Sequence, residues 1–154
     1  GLHVHLRAWE KDIRAELTQP MSMVCEDSCM EFFFSPDPDS GRYFNFEWNP
    51  NGCLYLGWGT GRTLSARLQV NDPVAFFDFK KQDTEDGWEI FYEIPVSFVQ
   101  LFIPDFALET GKTLRANCYK CGDKTENPHY LMWNPIPEGI SFHAPDHFGR
   151  MILE

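Results

Sequence analysis

The stretch MEFFFSPDPDSGRYFNFEWN, Met30–Asn49, carries the clearest structural signal in the chain. Two aromatic-rich runs, Met30–Ser35 and Tyr43–Asn49, flank a segment of proline, aspartate and glycine, which are residues that favour turns. In the second run the bulky aromatic residues fall on every second position, which is the period of a β-strand. The stretch therefore predicts two antiparallel strands joined by a turn at Pro36–Gly41.

Similar runs recur along the chain. Further strands are predicted at Leu2–Trp9, Cys53–Trp58, Val74–Lys80, Gly87–Ile94, Leu114–Lys120, Tyr130–Trp133 and Phe148–Leu153. Lys11–Pro20 fits a loop better than a helix, and Pro95–Phe102 fits a single helical turn. About eight or nine short strands with turns at a spacing of ~8–12 residues predict an all-β sandwich or barrel. A length of 154 residues favours one domain over residues 1–154.

The register of the first strand pair has a consequence for charge. The seven-residue connection Pro36–Arg42 places Glu31 directly opposite Glu47. The phenylalanines of both strands should share the core face, so the two glutamates and Asn45 are expected on the outer face. Like charges in that arrangement are destabilising unless a cation, a shared proton or a polar ligand is present.

Composition excludes some classes of partner. The chain has 13 basic and 23 acidic residues and a net charge of −10, which argues against nucleic acid and anionic membranes. No apolar run approaches the ~18 residues of a membrane-spanning helix. Five cysteines cannot all pair within the chain and show no disulfide framework, which favours a reducing compartment without identifying it.

Two metal sites are open possibilities. Asp37 and Asp39 offer oxygen ligands for calcium within a tight turn, although a plain proline–aspartate turn is the simpler explanation. Cys118 and Cys121, with His129 and His143, could bind zinc, but Cys118 also fits a small core residue. His3 and His5 share a strand face and are expected to be exposed polar residues rather than ligands.

Five ordered segments resemble family 9 carbohydrate-binding modules, and more closely their stand-alone bacterial relatives. The matching segments are Leu2–Glu10, Glu26–Ser35, Phe44–Gly52, Arg115–Pro135 and Phe142–Leu153. This resemblance implies an antiparallel β-sandwich of jelly-roll type, often with structural calcium, that binds sugars without cleaving them. The family's usual N-terminal strands have no counterpart in this chain, so an unpaired edge strand is expected, through which copies could self-associate.

The resemblance also implies site residues. The family's glutamate falls on Glu31, and its two sugar-stacking aromatic residues fall on Cys25 and Phe142. Its basic contact on the partner strand falls on Glu47. Cys25 and Glu47 thus depart from the family pattern, which predicts an altered sugar site in place of the usual reducing-end grip.

Four further residues are weaker candidates for the sugar site. Trp9 and Trp133 could stack on sugar rings, and Arg42 and Asn45 could hydrogen-bond to hydroxyls. Trp48, Trp58 and Trp88 share faces with apolar residues and are expected to be structural.

Two other functions remain open. Glu31 and Glu47 could serve a glycoside hydrolase as acid and nucleophile. Alternatively, the domain could be a structural or interaction module that has lost sugar binding.

Overall fold

The computed structural model describes residues 1–154. Ten β-strands form most of its regular structure: β1 (Leu2–Trp9), β2 (Cys29–Ser35), β3 (Tyr43–Trp48), β4 (Leu54–Gly59), β5 (Ser65–Leu68), β6 (Lys80–Thr84), β7 (Gly87–Ile94), β8 (Thr113–Cys121), β9 (Tyr130–Met132) and β10 (Gly149–Ile152). Two short helices, α1 (Pro73–Phe76) and α2 (Val96–Gln100), interrupt them. Single 3-10 turns occupy Val24–Glu26, Pro38–Ser40 and Pro145–His147.

The strands form two antiparallel sheets. The small sheet has three strands in the order β1-β7-β6. The large sheet has seven, in the order β10-β8-β2-β3-β4-β5, with β9 also pairing with β8. Because β8 is long, β10 pairs with its first part and β9 with its last part. The predicted antiparallel pair is confirmed as β2 and β3 at the centre of the large sheet.

The two sheets pack face to face through a core of 21 buried residues, which confirms the predicted β-sandwich. The large sheet contributes the phenylalanines at alternate positions of β2 and β3, and the small sheet contributes apolar residues of β7. Trp48 and Trp88 are fully buried there, and Trp58 packs against the same cluster, as predicted for structural tryptophans. Burial of a large aromatic side chain typically stabilises the folded state by about 1.5–3 kcal/mol.

One predicted strand is wrong, and one strand of the structure was not predicted. The strand expected at Val74–Lys80 is wrong, because α1 begins at Pro73 and β6 begins only at Lys80. The Asp72 carboxylate accepts a hydrogen bond of 3.0 Å from the backbone N–H of Ala75, and proline follows at the first helical position. Both features start a helix. The strand β5 was not predicted, because it has only four residues, too few for a clear period, and lies at the sheet edge.

Strand β1 is an edge strand that pairs only with β7. Self-association through this edge stays a prediction. Neither helix is long and apolar enough to cross a membrane.

Candidate functional site

The outer face of the large sheet, which is turned away from the small sheet, carries a row of four polar side chains. The register places Tyr119 of β8 opposite Glu31, Glu31 opposite Glu47, and Glu47 opposite Tyr55 of β4. The predicted alignment of the two glutamates is therefore confirmed. Residues directly opposite each other project to the same side of a sheet, so all four side chains meet on one surface.

This surface forms one side of a cleft of about 510 Å³. The opposite side is the segment 136–143, which contains neither helix nor strand. The side chains that line the cleft and bear on its chemistry are Cys25, Glu31, Glu47, Tyr55, Arg62, Cys121, Asp123, Tyr130, Phe142 and His143. Small-molecule sites usually have volumes of roughly 300–1,000 Å³, so the cleft has the size of a ligand site.

The segment 136–143 is held against the sheet by two tyrosines. The Phe142 ring stacks on Tyr119 with a centroid distance of 4.1 Å, and the Tyr119 hydroxyl donates a 3.0 Å hydrogen bond to the Phe142 carbonyl. The Tyr43 hydroxyl lies 2.8 Å from His143 Nδ1. Burial and the nearby charge of Arg62 lower the pKa of His143 to about 4. The imidazole is therefore neutral at pH 7, and its Nδ1 can accept a hydrogen bond from the Tyr43 hydroxyl.

The two glutamates are almost fully buried, with 3% of Glu31 and 6% of Glu47 exposed. Burial raises the pKa of Glu31 well above its usual range, and the adjacent Glu47 charge adds to this. Burial also raises the pKa of Glu47 to about 7, although the hydrogen bond from Asn45 and the charges of Arg67 and Arg62 oppose it. The pair therefore keeps a proton at neutral pH, which relieves the like-charge repulsion.

Asn45 supports the pair from β3. Its Nδ2 donates a 2.8 Å hydrogen bond to Glu47 Oε1, as expected for a residue on the same face. Its Oδ1 is buried and has no hydrogen-bond partner. Gly57 lies opposite Asn45 on β4, and a β-carbon there would clash with that oxygen. The glycine thus makes room for the amide, which holds Glu47 in place from beneath the cleft.

Two arginines bring positive charge to this acidic surface. Arg62 is exposed and lines the cleft near Glu47 and His143. The Arg67 guanidinium lies 3.9 Å from the Tyr55 ring centroid and donates a 3.0 Å hydrogen bond to the Ser22 carbonyl. Arg67 therefore positions Tyr55, and Arg62 supplies an exposed hydrogen-bond donor in the cleft, where the family's basic contact is missing.

The structure brings some of the predicted sugar-site residues together and separates others. Glu31, Glu47 and Phe142 line the cleft, and Asn45 bonds to Glu47 beneath it. Cys25, at the position of the family's first aromatic residue, also lines the cleft.

The remaining candidates lie elsewhere. Trp9 is 72% exposed and borders a separate groove of about 480 Å³. The Trp133 ring covers Gly149 rather than lining the cleft, and Arg42 is exposed next to the Pro38–Ser40 turn. The alternation of a strand shows only which face a side chain is on, so it could not exclude Trp9, Trp133 or Arg42 from the sugar site.

The predicted calcium turn has few donors. Asp37 and Asp39 are both exposed, and the Asp37 carbonyl already accepts hydrogen bonds from the hydroxyls of Ser35 and Ser40. Calcium prefers 6–8 oxygen ligands, so two carboxylates and an engaged carbonyl do not fit it. Calcium binding here stays a prediction that this donor set does not support.

The zinc site predicted from Cys118 and Cys121 is not assembled. An odd spacing within one strand puts two side chains on opposite faces, so Cys118 packs against the core while Cys121 lines the cleft. His129 contacts Lys120 at 2.7 Å and His143 contacts Tyr43, so neither approaches Cys118. His3 and His5 are exposed, and His5 bonds to Glu89 at 2.9 Å.

Sequence reasoning missed several lining residues. Tyr55 follows the alternation of β4 and could have been found by extending the register of β3. Tyr130 begins the short strand β9, and three others come from loops: Arg62, Asp123 and His143. No local pattern brings those four together.

Comparison with known proteins agrees with the β-sandwich fold. The model of carbohydrate-binding family 9 matches residues 1–153. A crystal structure from Bacteroides uniformis, of a protein provisionally assigned as carbohydrate-binding, is 34% identical, with a TM-score of 0.73 over 99% of this chain and 72% of that chain. No functionally curated protein matches the chain.

Two more distant structures share the fold. Both are family 9 modules from Caldicellulosiruptor kristjanssonii, one in complex with glucose and one with cellotriose. The glucose complex is 12% identical with a TM-score of 0.64, over 99% of this chain and 70% of that chain. The cellotriose complex is 10% identical with a TM-score of 0.60, over 99% of this chain and 68% of that chain. The family match over nearly the whole chain, with the 34% identical relative, establishes that this protein belongs to carbohydrate-binding family 9.

Proposed function

We propose that the protein binds carbohydrate in the cleft between the outer face of the large sheet and the segment 136–143, without cleaving it. The observation that carries this proposal is the buried Glu31–Glu47 pair, which keeps a proton at neutral pH, lines a cleft of ligand size and is supported from beneath by Asn45. Such buried polar groups are costly unless a ligand completes their hydrogen bonds. Family membership supports a sugar as that ligand.

The side chains of the cleft suit sugar hydroxyls, each of which both donates and accepts. The ionised carboxylate of the pair accepts hydrogen bonds, while the protonated carboxyl and Arg62 donate them. The rings of Tyr55, Tyr130 and Phe142 offer apolar surface to the C–H faces of a sugar. The departures at Cys25 and Glu47 are then compensated by Tyr55 and Arg62, and we place the protein in glycan or polysaccharide utilisation.

Calorimetric titration tests this proposal. Glucose, cello-oligosaccharides and other plant and host glycans are titrated, each next to its borohydride-reduced form. We expect saturable heat with at least one glycan, and a loss with its reduced form would locate the reducing end in the cleft. No heat with any glycan would refute sugar binding and favour an interaction module.

Variants assign the binding to this cleft. Glu47→Ala is expected to weaken affinity at least about 10-fold, because it removes a charged hydrogen-bonding group. Phe142→Ala should weaken it roughly 2- to 10-fold through lost stacking. Trp133→Ala is the matched control, since its ring lies outside the cleft, and an equal loss in that variant would contradict the assignment.

A glycoside hydrolase is the second candidate, and the raised pKa of Glu31 favours it. A general acid needs such a shift, and Glu47 would have to be the ionised nucleophile. Release of reducing sugar from a glycan that binds, abolished in Glu31→Gln, would establish this reaction. Binding without any release would leave the non-catalytic function.

A further inference from the structure

Next to the glutamate pair, three side chains that can bind metal converge on the outer face of the large sheet. Cys29 and Glu31 are two residues apart on β2 and therefore project to the same side. Cys121 of β8 is the direct cross-strand partner of Cys29. All three are buried, and their ligand atoms lie within 4.8 Å of one another.

The separations between these atoms suit a tetrahedral metal ion. Cys121 Sγ lies 2.9 Å from Glu31 Oε1, and Cys29 Sγ lies 4.0 Å from the same oxygen. Zinc bonds of about 2.0–2.3 Å require ligand atoms to be about 3.3–3.8 Å apart in a tetrahedron. The observed distances fall on either side of that range, so small side-chain rotations would bring the three atoms to equal spacing.

We propose that Cys29, Glu31 and Cys121 form a zinc site whose fourth position opens into the cleft. Two thiolates and one carboxylate favour zinc over calcium or magnesium, which prefer oxygen ligands alone. Glu31 and Cys121 both line the cleft, so an ion can enter and a water or a ligand hydroxyl can complete its coordination. The metal site shares Glu31 with the proposed sugar site, but zinc binding can be measured without a sugar.

Binding of the ion is a proton exchange without electron transfer. One Zn²⁺ displaces a proton from each of the two thiols, and from Glu31 where that carboxyl is protonated. The exchange adds no positive charge, because two protons leave when Glu31 is ionised and three leave when it is protonated, so the site charge is unchanged or falls by one. The five cysteines are free, so both thiols are available as ligands.

Metal binding is tested on the whole chain, stripped with a chelator and kept under a non-thiol reductant. Zn²⁺ is titrated by calorimetry, and native mass spectrometry counts the bound ions. We expect one Zn²⁺ per chain, while Ca²⁺ and Mg²⁺ give no binding. Co²⁺ should bind with the thiolate charge-transfer absorption of a sulfur-ligated tetrahedral ion. A wild-type chain that binds no Zn²⁺, or a Co²⁺ complex without this absorption, would overturn the proposal.

Variants identify the ligands. Changes around metal ligands typically cost 10–100-fold in affinity, so Cys29→Ser, Cys121→Ser or Glu31→Gln should cost about 100-fold or more. Cys118→Ala is the matched control, because Cys118 lies on the same strand but packs against the core. An equal loss in that control would refute the assignment.

If a variant fails to fold, alkylation of the wild-type protein tests whether Cys29 and Cys121 are zinc ligands. Bound Zn²⁺ should protect Cys29 and Cys121 from a thiol reagent and leave the reaction of Cys118 unchanged. Equal reactivity with and without Zn²⁺, or a Cys29–Cys121 disulfide under the reductant, would contradict the site. A chain that binds a glycan but no Zn²⁺ would refute only the metal site, and the reverse result would refute only sugar binding.

Discussion

The two faces of the large sheet are both buried but differ in chemistry. On the inner face, Phe32, Phe34, Phe44 and Phe46 pack within one apolar cluster. On the outer face, the same two strands present Glu31, Glu47 and the fully buried Asn45, with one acceptor unpaired. Apolar burial stabilises a fold, whereas buried polar groups reduce its stability unless they are fully paired. The contrast indicates that the inner face maintains the sandwich and the outer face is adapted to a ligand.

The largest effect is expected on the inner face. Phe46→Ala should lower the free energy of unfolding by about 3–5 kcal/mol, because it leaves a cavity among packed aromatic rings. Urea denaturation measures this change. Leu101→Ala is the control, since Leu101 is 75% exposed and should alter stability by less than about 0.5 kcal/mol. If Phe46→Ala and Leu101→Ala lowered the free energy of unfolding by similar amounts, the assignment of Phe46 to the core and Leu101 to the surface would be contradicted.

The stability of the protein measured over a pH series tests the buried glutamate of the outer face, which has no counterpart on the apolar inner face. The pKa of Glu47 is raised from 4.5 to about 7, so the folded state binds more protons than the unfolded state between those values. The contribution of this group to stability is therefore greatest below pH 4.5 and is lost as the pH rises through 7, by an amount on the order of 1–3 kcal/mol. Glu47→Gln should remove this decline and be more stable than wild type at pH 8.

Two other groups bear on that measurement. His143, with a pKa lowered to about 4, gives the opposite slope below pH 6.5, because only the unfolded state gains its proton there. Glu31 has a raised pKa and adds to the decline. The difference between Glu47→Gln and wild type isolates Glu47, and the exposed Glu85→Gln serves as control. A difference that does not vary with pH would contradict the raised pKa.

Gly57→Ala tests the room left for Asn45. The added methyl group would push the Asn45 amide away, which should cost about 1–3 kcal/mol of stability and weaken glycan binding. Gly61→Ala is the matched control, because nothing lies within 4 Å of its β-carbon position. Thermal unfolding and calorimetry report the two effects, and unchanged values in Gly57→Ala would mean that the amide does not depend on this space.

The smallest effect is expected outside both faces. Trp9→Ala should change stability by less than about 0.5 kcal/mol, because the ring is 72% exposed and contacts mainly Arg7. Glycan affinity should also be unchanged, since Trp9 lies outside the cleft. A clear loss of affinity would reveal a second sugar site at the separate groove.

Much of the fold could be predicted from local patterns. The alternation of β1, β3 and β7 depends only on neighbouring residues, and the Pro36–Gly41 turn sets the register that aligns Glu31 with Glu47. The helix α1 was missed because most of its residues belong to the apolar run Val74–Lys80, which also fits a strand, while the capping signal at Asp72 lies just before that run.

The site could be predicted only in part, because strand patterns constrain faces and not contacts between distant segments. The prediction correctly included Glu31, Glu47, Asn45 and Phe142. It also included Trp9, Trp133 and Arg42, which lie outside the cleft, because no pattern in the sequence separates the two groups. Segment 136–143 has no regular structure, so its position over the sheet does not follow from any period in the sequence.

The sequence by itself determined the pairing of β2 with β3, the aromatic inner face and the acidic outer face of that pair, because alternation and turn residues act over short distances. Only the tertiary structure decided how that outer face is closed. Pairing of β2 with β8 brings Cys121 to Glu31 across 90 residues, and the Tyr43 and Tyr119 hydroxyls hold the segment 136–143 in place. These contacts depend on packing between remote parts of the chain, which local residue patterns do not encode.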